Sequence, residues 1–252
     1  MPAKTCRMPD SATTEDALLG GRIRLRQPAQ GYRAAIDPVL LAAAVPVRPG
    51  ERVIEAGCGV GAAALCLLAR VGQASVLGVE IQPSLAALAR ENAVLNGVAD
   101  RFSALEGDIA GLGLEPAAHV MMNPPFLPAG RGTPPPDASK AAAHLEGEAD
   151  LALWVGFAAR HLAHRGSLTV IHRADRLGDL LAALARHRLG SPVVLPLWPG
   201  KGKPAKRVLV QTRKGGRAPL ILLAGLTLHA PEAGFTAEAD AILRDAAPLP
   251  LA

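Results

Sequence analysis

Asparagine followed by two prolines and an aromatic, Asn123-Pro124-Pro125-Phe126, closes an apolar run over residues 117–122. Each proline lacks an amide donor and fixes its own φ, so a strand cannot continue through the pair. The chain is expected to stop abruptly there and to present one carboxamide, stiff backbone carbonyls and a ring. Those groups suit a planar substrate bearing an amino group, whose hydrogens the oxygens accept while the ring stacks on its face. Taken alone, the same four residues also describe a Pro-Pro turn with a core phenylalanine. The residues upstream favour the first reading.

Residues 52–56, Arg-Val-Ile-Glu-Ala, read as a short buried strand entering Gly57-Cys58-Gly59-Val60-Gly61, and residues 62–70 are helix formers throughout. Glycines at such a turn permit positive φ and let a ligand approach bare backbone at a helix N-terminus. The spacing is G-x-G-x-G, not the G-x-G-x-x-G of dinucleotide binding, which counts against a nicotinamide-dependent oxidoreductase. A second strand, 75–80, ends in Glu80 and is followed by Ile81. An acid at that place meets ribose hydroxyls in a doubly wound sheet, or serves as the N-terminal acid of the helix that Pro83 and Ser84 open. That helix, 84–96, is expected to close at Gly97. A third strand, 102–106, leads to Gly107-Asp108-Ile109, where Asp108 either accepts hydrogen bonds from an adenine amino group or caps a turn.

Glu55 with Gly57, Gly59 and Gly61, then Glu80, then Gly107-Asp108-Ile109, then Asn123-Pro124-Pro125-Phe126, stand in the order found in class I S-adenosylmethionine-dependent methyltransferases of the amino-methylating branch. The head of the chain adds Gly20-Gly21-Arg22, Gly31-Tyr32-Arg33 and Ile36-Asp37-Pro38. It resembles the bacterial tRNA adenine-N6 methyltransferase family, which modifies position 37 of a valine tRNA. The resemblance runs over roughly residues 20–230. It implies an α/β, Rossmann-like fold: a mostly parallel, doubly wound sheet with an antiparallel edge strand. It also implies S-adenosylmethionine as cofactor, held by Glu55, the glycines of 57–61, Glu80 with Ile81, Asp108 with Ile109, and Asn123, with Asp37 and Tyr32 helping to close the site. Asn123 and Pro124 would then hold the acceptor amine and Phe126 would stack on the base. Asn-Pro-Pro-Phe also occurs in guanine-N2 methyltransferases of ribosomal RNA, and close variants methylate a release-factor glutamine. An RNA-binding protein with a relict pocket is a further alternative, disfavoured by the intact Asn123, Glu80 and glycine loop.

Charge points to the partner. Net charge is +5, and residues 180–231 hold no Asp or Glu but nine Lys or Arg. Among these, Lys201, Lys203, Lys206 and Arg207 are the candidate RNA contacts, since phosphate contacts supply most nonspecific affinity for nucleic acid. A second basic group, Arg22, Arg24, Arg26 and Arg33, lies near the N-terminus. tRNA, or another structured RNA, is the expected partner, and the enzyme is expected to be a monomer or weak dimer.

Only 3% of residues are aromatic, so packing rests on aliphatics and no broad platform for stacking bases exists. No apolar run reaches the ~18–20 residues of a membrane span, and residues 1–14 lack the apolar core of a secretory signal, so a cytoplasmic enzyme is expected. Cys6, Cys58 and Cys66 give neither a disulfide framework nor metal spacing, and no metal is expected. No thiol sits where a pyrimidine C5 methyltransferase needs its nucleophile, which favours amino-group chemistry. Residues 1–19 read as a frayed leader and 20–252 as one domain. Residues 127–147 read as a loop over the substrate side, with Arg131 and Lys140 in reach of phosphate. A helix over 148–163 carries Trp154 and Phe157 on its apolar side, and His161 and His164 are expected to be solvated on one face. A strand over 167–172, a helix over 175–188 capped by Asp175, and two strands over 192–198 and 207–212 complete the sheet. Residues 215–231 and a helix over 236–245 form the tail.

Overall fold

The computed structural model describes residues 13–30, 33–125 and 148–251. Residues 13–18, expected to lie in a frayed leader, instead form β1 (Thr13–Leu18), which pairs antiparallel with β2 (Ile23–Pro28). This hairpin also accounts for the N-terminal basic group. Arg24 and Arg26 both pair with Glu15, Arg33 with Asp16, and Arg22 with Asp245 at the chain's other end. Acids on β1 face arginines across the strand pair, so all four cations expected to be open to a partner are engaged within the fold, by three carboxylates.

α1 (Ile36–Ala44) precedes the central sheet. The sheet is built from β3 (Arg52–Ala56), β4 (Ser75–Glu80), β5 (Phe102–Glu106), β6 (Ala117–Met122), β7 (Leu162–Arg173), β8 (Leu189–Gly200) and β9 (Arg207–Lys214), with short strands β10 (Ile221–Leu222) and β11 (Leu226–His229) on β8. The order is β5-β4-β3-β6-β7-β9-β8, parallel from β5 through β7. Only β9 runs against its neighbours, and it lies between β7 and β8 rather than at the margin. β8 therefore points the same way as β7 and carries β10 and β11 in parallel on its outer side.

The helices α2 (Ala62–Arg70), α3 (Pro83–Leu95), α4 (Glu148–His161), α5 (Leu177–Arg186) and α6 (Ala237–Asp245) cover the two faces. Adjacent strand residues feed opposite layers. Val53 and Met121 join the core with α1, α2 and α6, whereas Ile54, Val120 and Met122 join the core with α4 and α5. Such continuous apolar runs are what a parallel sheet buried on both faces requires. The tail, read only as family-like, thus contains β10, β11 and α6, and Thr236 caps α6 by accepting from the Ala239 amide at 3.2 Å. Among the described residues, no helix is long and apolar enough to cross a membrane.

Three local expectations need correction. Asp175 does not cap a helix. Residues Ala174–Arg176 form a 3₁₀ turn, α5 begins at Leu177, and the Asp175 carboxylate pairs with Arg173, whose Nε lies 2.8 Å away. His161 is not solvated but only 5% exposed. Its Nδ1 bonds the Phe157 carbonyl at 2.9 Å, and the two rings lie 4.4 Å apart, which satisfies the polar ring inside the core. His164 is exposed but sits in β7, not on a shared helix face.

Candidate active site

Strand register lines up the chemistry-bearing residues. Ala56 pairs with both Val79 and Met122, and Glu80 pairs with Glu106. The next residues along, Gly57 after β3 and Asn123 after β6, therefore stand in one row with Glu80 and Glu106, the last residues of β4 and β5, and Gly107 follows one residue beyond, level with Ile81. This row lies at the carboxyl ends of the parallel strands. Between β3 and β6 the strand order reverses, which is where open α/β sheets bind ligands.

The glycine loop is shaped by three different constraints. All three glycines have positive φ, at +66°, +55° and +85° for Gly57, Gly59 and Gly61. A β-carbon on Gly57 would collide with the Trp154 indole of α4, and one on Gly61 would lie 2.5 Å from the Phe102 ring. At Gly59 a β-carbon would meet no heavy atom within 4 Å. The outer two glycines are thus demanded by packing, while the middle one leaves backbone exposed to open space at the start of α2. That is a cradle into which a ligand can approach the chain directly.

Two buried carboxyls set the loop. Glu80 accepts the Gly59 amide at 2.8 Å through one oxygen and the Gln82 amide at 2.9 Å through the other. Each carboxylate oxygen retains a second lone pair, so Glu80 can still accept from hydroxyl donors. Burial pushes its carboxyl above the usual range, against the pull of those amides. Glu55 is deeper. Its Oε2 accepts the Ala64 amide of α2 at 3.0 Å, and burial, with the nearby Glu80 charge adding to it, raises its carboxyl to about 8. Glu55 fastens the helix N-terminus to β3 and is itself buried.

The remaining predicted residues fall around this row. Ile81 is 61% exposed, an apolar side chain left in solvent directly after Glu80. Asp108 caps its turn, since its Oδ1 accepts the Ala110 amide at 2.8 Å, and it stays exposed. Ile109 is buried, and its carbonyl accepts from Arg160 of α4 at 3.2 Å. Asn123 is half-buried and Pro124 buried. Phe126, Tyr32, Arg131, Lys140 and the loop 127–147 lie outside the described residues.

Asp37 stands in the first turn of α1. Its carboxylate meets the Arg207 Nε at 3.0 Å, at the rim formed by the ends of β7 and β9. The two charges neutralise each other there. Beside them the buried His172 ring is held near a pKa of 4, first by burial and then by the charges of Arg176, Arg207 and Arg173. Lys201, Lys203 and Lys206 occupy the β8–β9 connection at the same end of the sheet, all exposed, and among the described residues no ion pair engages them.

Two contributors were not evident from sequence. Trp154 looked like core, yet its ring is the wall against which Gly57 is fitted. Asn92 of α3 and Asn96, its C-cap, act together as a strand edge for β2. Their side-chain oxygens accept the Arg26 and Arg24 amides at 2.8 and 2.9 Å, and their amide nitrogens donate to the carbonyls of the same residues. Asn92 also donates to the Val60 carbonyl at 3.0 Å, tying the hairpin to the glycine loop. The i, i+4 spacing of two asparagines on one helix face was the available signal.

Comparison with known proteins agrees with this geometry. Residues 53–124 match the model of a methyltransferase domain. A Porphyromonas gingivalis protein named tRNA1(Val) (adenine(37)-N6)-methyltransferase is 31% identical over 207 residues, covering 78% of this chain and 80% of its own length. A protein of the same name from Dickeya chrysanthemi is 26% identical, covering 84% and 87%. The release factor glutamine methyltransferase of Deinococcus radiodurans is 40% identical but over only 42% of this chain and 35% of itself. Among solved structures, one described as a predicted O-methyltransferase from Agrobacterium tumefaciens superposes with a TM-score of 0.70 at 27% identity, covering 85% of this chain and 98% of that one. With a strand order that reverses beside an Asn-Pro-Pro turn, and likeness to the P. gingivalis protein along most of both chains, the chain belongs to the tRNA1(Val) (adenine(37)-N6)-methyltransferase family.

Proposed function

We propose that this chain transfers a methyl group from S-adenosylmethionine to the exocyclic N6 of adenine 37 in a valine tRNA. The observation that carries the reading is the register-aligned row of Gly57, Glu80 and Asn123, with Ile81 and Gly107 one residue beyond it. The cradle over Gly59, the acceptor Glu80 and the exposed Ile81 together fit a nucleoside with an attached amino acid. In this reading the loop backbone holds the methionine part, Glu80 accepts the ribose hydroxyls, and Ile81 with the Asp108–Ile109 turn lines the adenine. Bound there, S-adenosylmethionine supplies an electrophilic methyl carbon.

The chain's own contribution to the chemistry is to hold the acceptor. An adenine amino nitrogen is a poor nucleophile because its lone pair is shared with the ring. The Asn123 side-chain oxygen and the Pro124 carbonyl accept its two hydrogens and keep the nitrogen beside the cofactor cleft. Both acceptors bind more tightly as the nitrogen turns tetrahedral and gains positive charge, so they favour the transition state over the ground state. Fixing the base against the donor contributes proximity as well. No strong base is required, because the departing proton becomes acidic once the nitrogen is cationic. The target base must leave its stack, which an anticodon-loop purine does at lower cost than a paired base. Lys201, Lys203 and Lys206 are positioned for the phosphates around it, and the reaction is assigned to the cytoplasm, where tRNA is met.

Glutamine methylation is the weaker reading, because the likeness to the D. radiodurans protein covers less than half of either chain. The test is direct. The protein is incubated with bulk tRNA, ribosomal RNA and labelled methyl donor, and the modified nucleoside is identified by mass spectrometry. N6-methyladenosine in tRNA is the expected product; label only in guanosine, or only in protein, contradicts the assignment.

A further inference from the structure

The basic residues of the acid-free stretch do not form one surface. β9 runs against its neighbours, so Arg207 at its start lies at the active-site end while Arg213 lies six residues farther on, about 20 Å away at ~3.4 Å per residue. The far end gathers cations from three strands. Ser167 pairs with Arg213 on one side of β9, and Leu189 pairs with Lys214 on the other. Extending both registers places Arg165 and Arg188 on either side of Gly215, with Arg217 two residues beyond. Arg165, Arg188, Arg213 and Arg217 are all exposed. The arginines of the hairpin and the active-site rim pair with acids, but none of these four does so among the described residues.

Backbone geometry sets two of them apart. Arg165 and Arg188 have φ of +60° and +56°, the left-handed region that side chains rarely adopt, and Gly215 between them is at +74°. Strain of this kind persists only where the surrounding fold imposes it, and it clusters at functional positions. Here it fixes two guanidinium-bearing residues on opposite sides of one strand end, a separation of about two strand spacings, or ~10 Å. Guanidinium forks without carboxylate partners match phosphate oxygens.

We infer that this far-end cluster is a second RNA-binding site, which holds the sugar-phosphate backbone of the tRNA body while the anticodon loop occupies the active-site end. The inference rests on the reading of tRNA as substrate. In this arrangement the anticodon stem-loop engages the active-site end, and the rest of the tRNA supplies the contacts at the opposite end of the sheet. The far cluster therefore favours full-length tRNA over any short RNA with the same loop.

The experiment measures binding of full-length tRNA and of its isolated anticodon stem-loop over a range of salt concentrations. The unaltered chain should bind the full-length molecule more tightly. Arg188→Asn combined with Arg213→Ala removes two charges, and asparagine tolerates the left-handed backbone at 188. This variant should lose roughly tenfold or more in affinity for full-length tRNA, and its salt slope should fall by about 1.5–2. Its affinity for the stem-loop should not change. Lys201→Ala with Lys203→Ala, at the active-site end, should weaken both ligands alike. Arg188→Lys keeps the charge and should keep most of the affinity. Equal loss on both RNAs, loss on neither, or an Arg188→Lys variant as weak as the neutral one overturns the inference. So does a double variant that loses only its binding to anionic lipid vesicles. The expected binding pattern without methyl transfer to any tRNA would uphold the second site and overturn the activity instead.

Discussion

Asn123→Ala is expected to lower kcat for tRNA methylation by about 10²–10³-fold, the usual cost of removing one fixed hydrogen-bonding group from a transition state. Binding of S-adenosylmethionine, followed by calorimetry, should be nearly intact. The distinction follows from the sheet. In the proposed site, the cofactor is held at the ends of β3, β4 and β5, whereas Asn123 arrives on β6, across the point where strand order reverses. Its carboxamide is reserved for the acceptor amine, whose charge changes during the reaction. Asn123→Asp retains an acceptor oxygen of the same shape and should recover part of the lost rate. Equal loss of turnover and cofactor binding in the alanine variant would move Asn123 from catalysis to support of the cleft.

Glu55→Gln should stabilise the protein above neutral pH and flatten its pH dependence. The buried carboxyl keeps its proton up to about pH 8, against an ordinary value of 4.5. The unfolded chain therefore releases that proton first as pH rises, and ionisation favours unfolding. Stability falls between about pH 4.5 and 8 and then levels off. Over that interval, at about 1.4 kcal/mol per pH unit, the cost is on the order of 3–5 kcal/mol. Glutamine keeps an oxygen for the Ala64 amide but cannot ionise. At pH 8.5 the variant should melt roughly 5–10 °C above the unaltered chain, with the difference vanishing near pH 4. Identical pH slopes in the two proteins would mean that Glu55 is already ionised in the fold.

The half of the proposed site that would hold the cofactor was legible because its signals are local. β3, β4, β5, β6 and α2 have the bounds that the sequence implies, since apolar runs of five or six residues punctuated by glycine or proline carry their own ends. What was not legible depends on distant pairing. Arg24 and Arg26 looked like free cations, but Glu15 lies across a hairpin that fell within the supposed leader. The Asp37–Arg207 ion pair was likewise not legible, because 170 residues of sequence separate its partners. Charge counting found the basic stretch but not its division, because one antiparallel strand sends Arg207 and Arg213 to opposite ends of the sheet. The two-residue β10 and four-residue β11 have no periodicity of their own and exist only by pairing with β8.

The central claim is that a carboxamide at the end of β6 receives an amine beside a methyl donor seated on β3, β4 and β5. The most direct measurement is a crystal structure of the chain with S-adenosylhomocysteine and adenosine, which stand in for the demethylated cofactor and the target nucleoside. The Asn123 oxygen and the Pro124 carbonyl should both lie within hydrogen-bond distance of the adenosine N6, with Glu80 on the cofactor ribose. An adenosine bound elsewhere, or an Asn123 side chain turned away from it while the cofactor site is filled, would contradict the account.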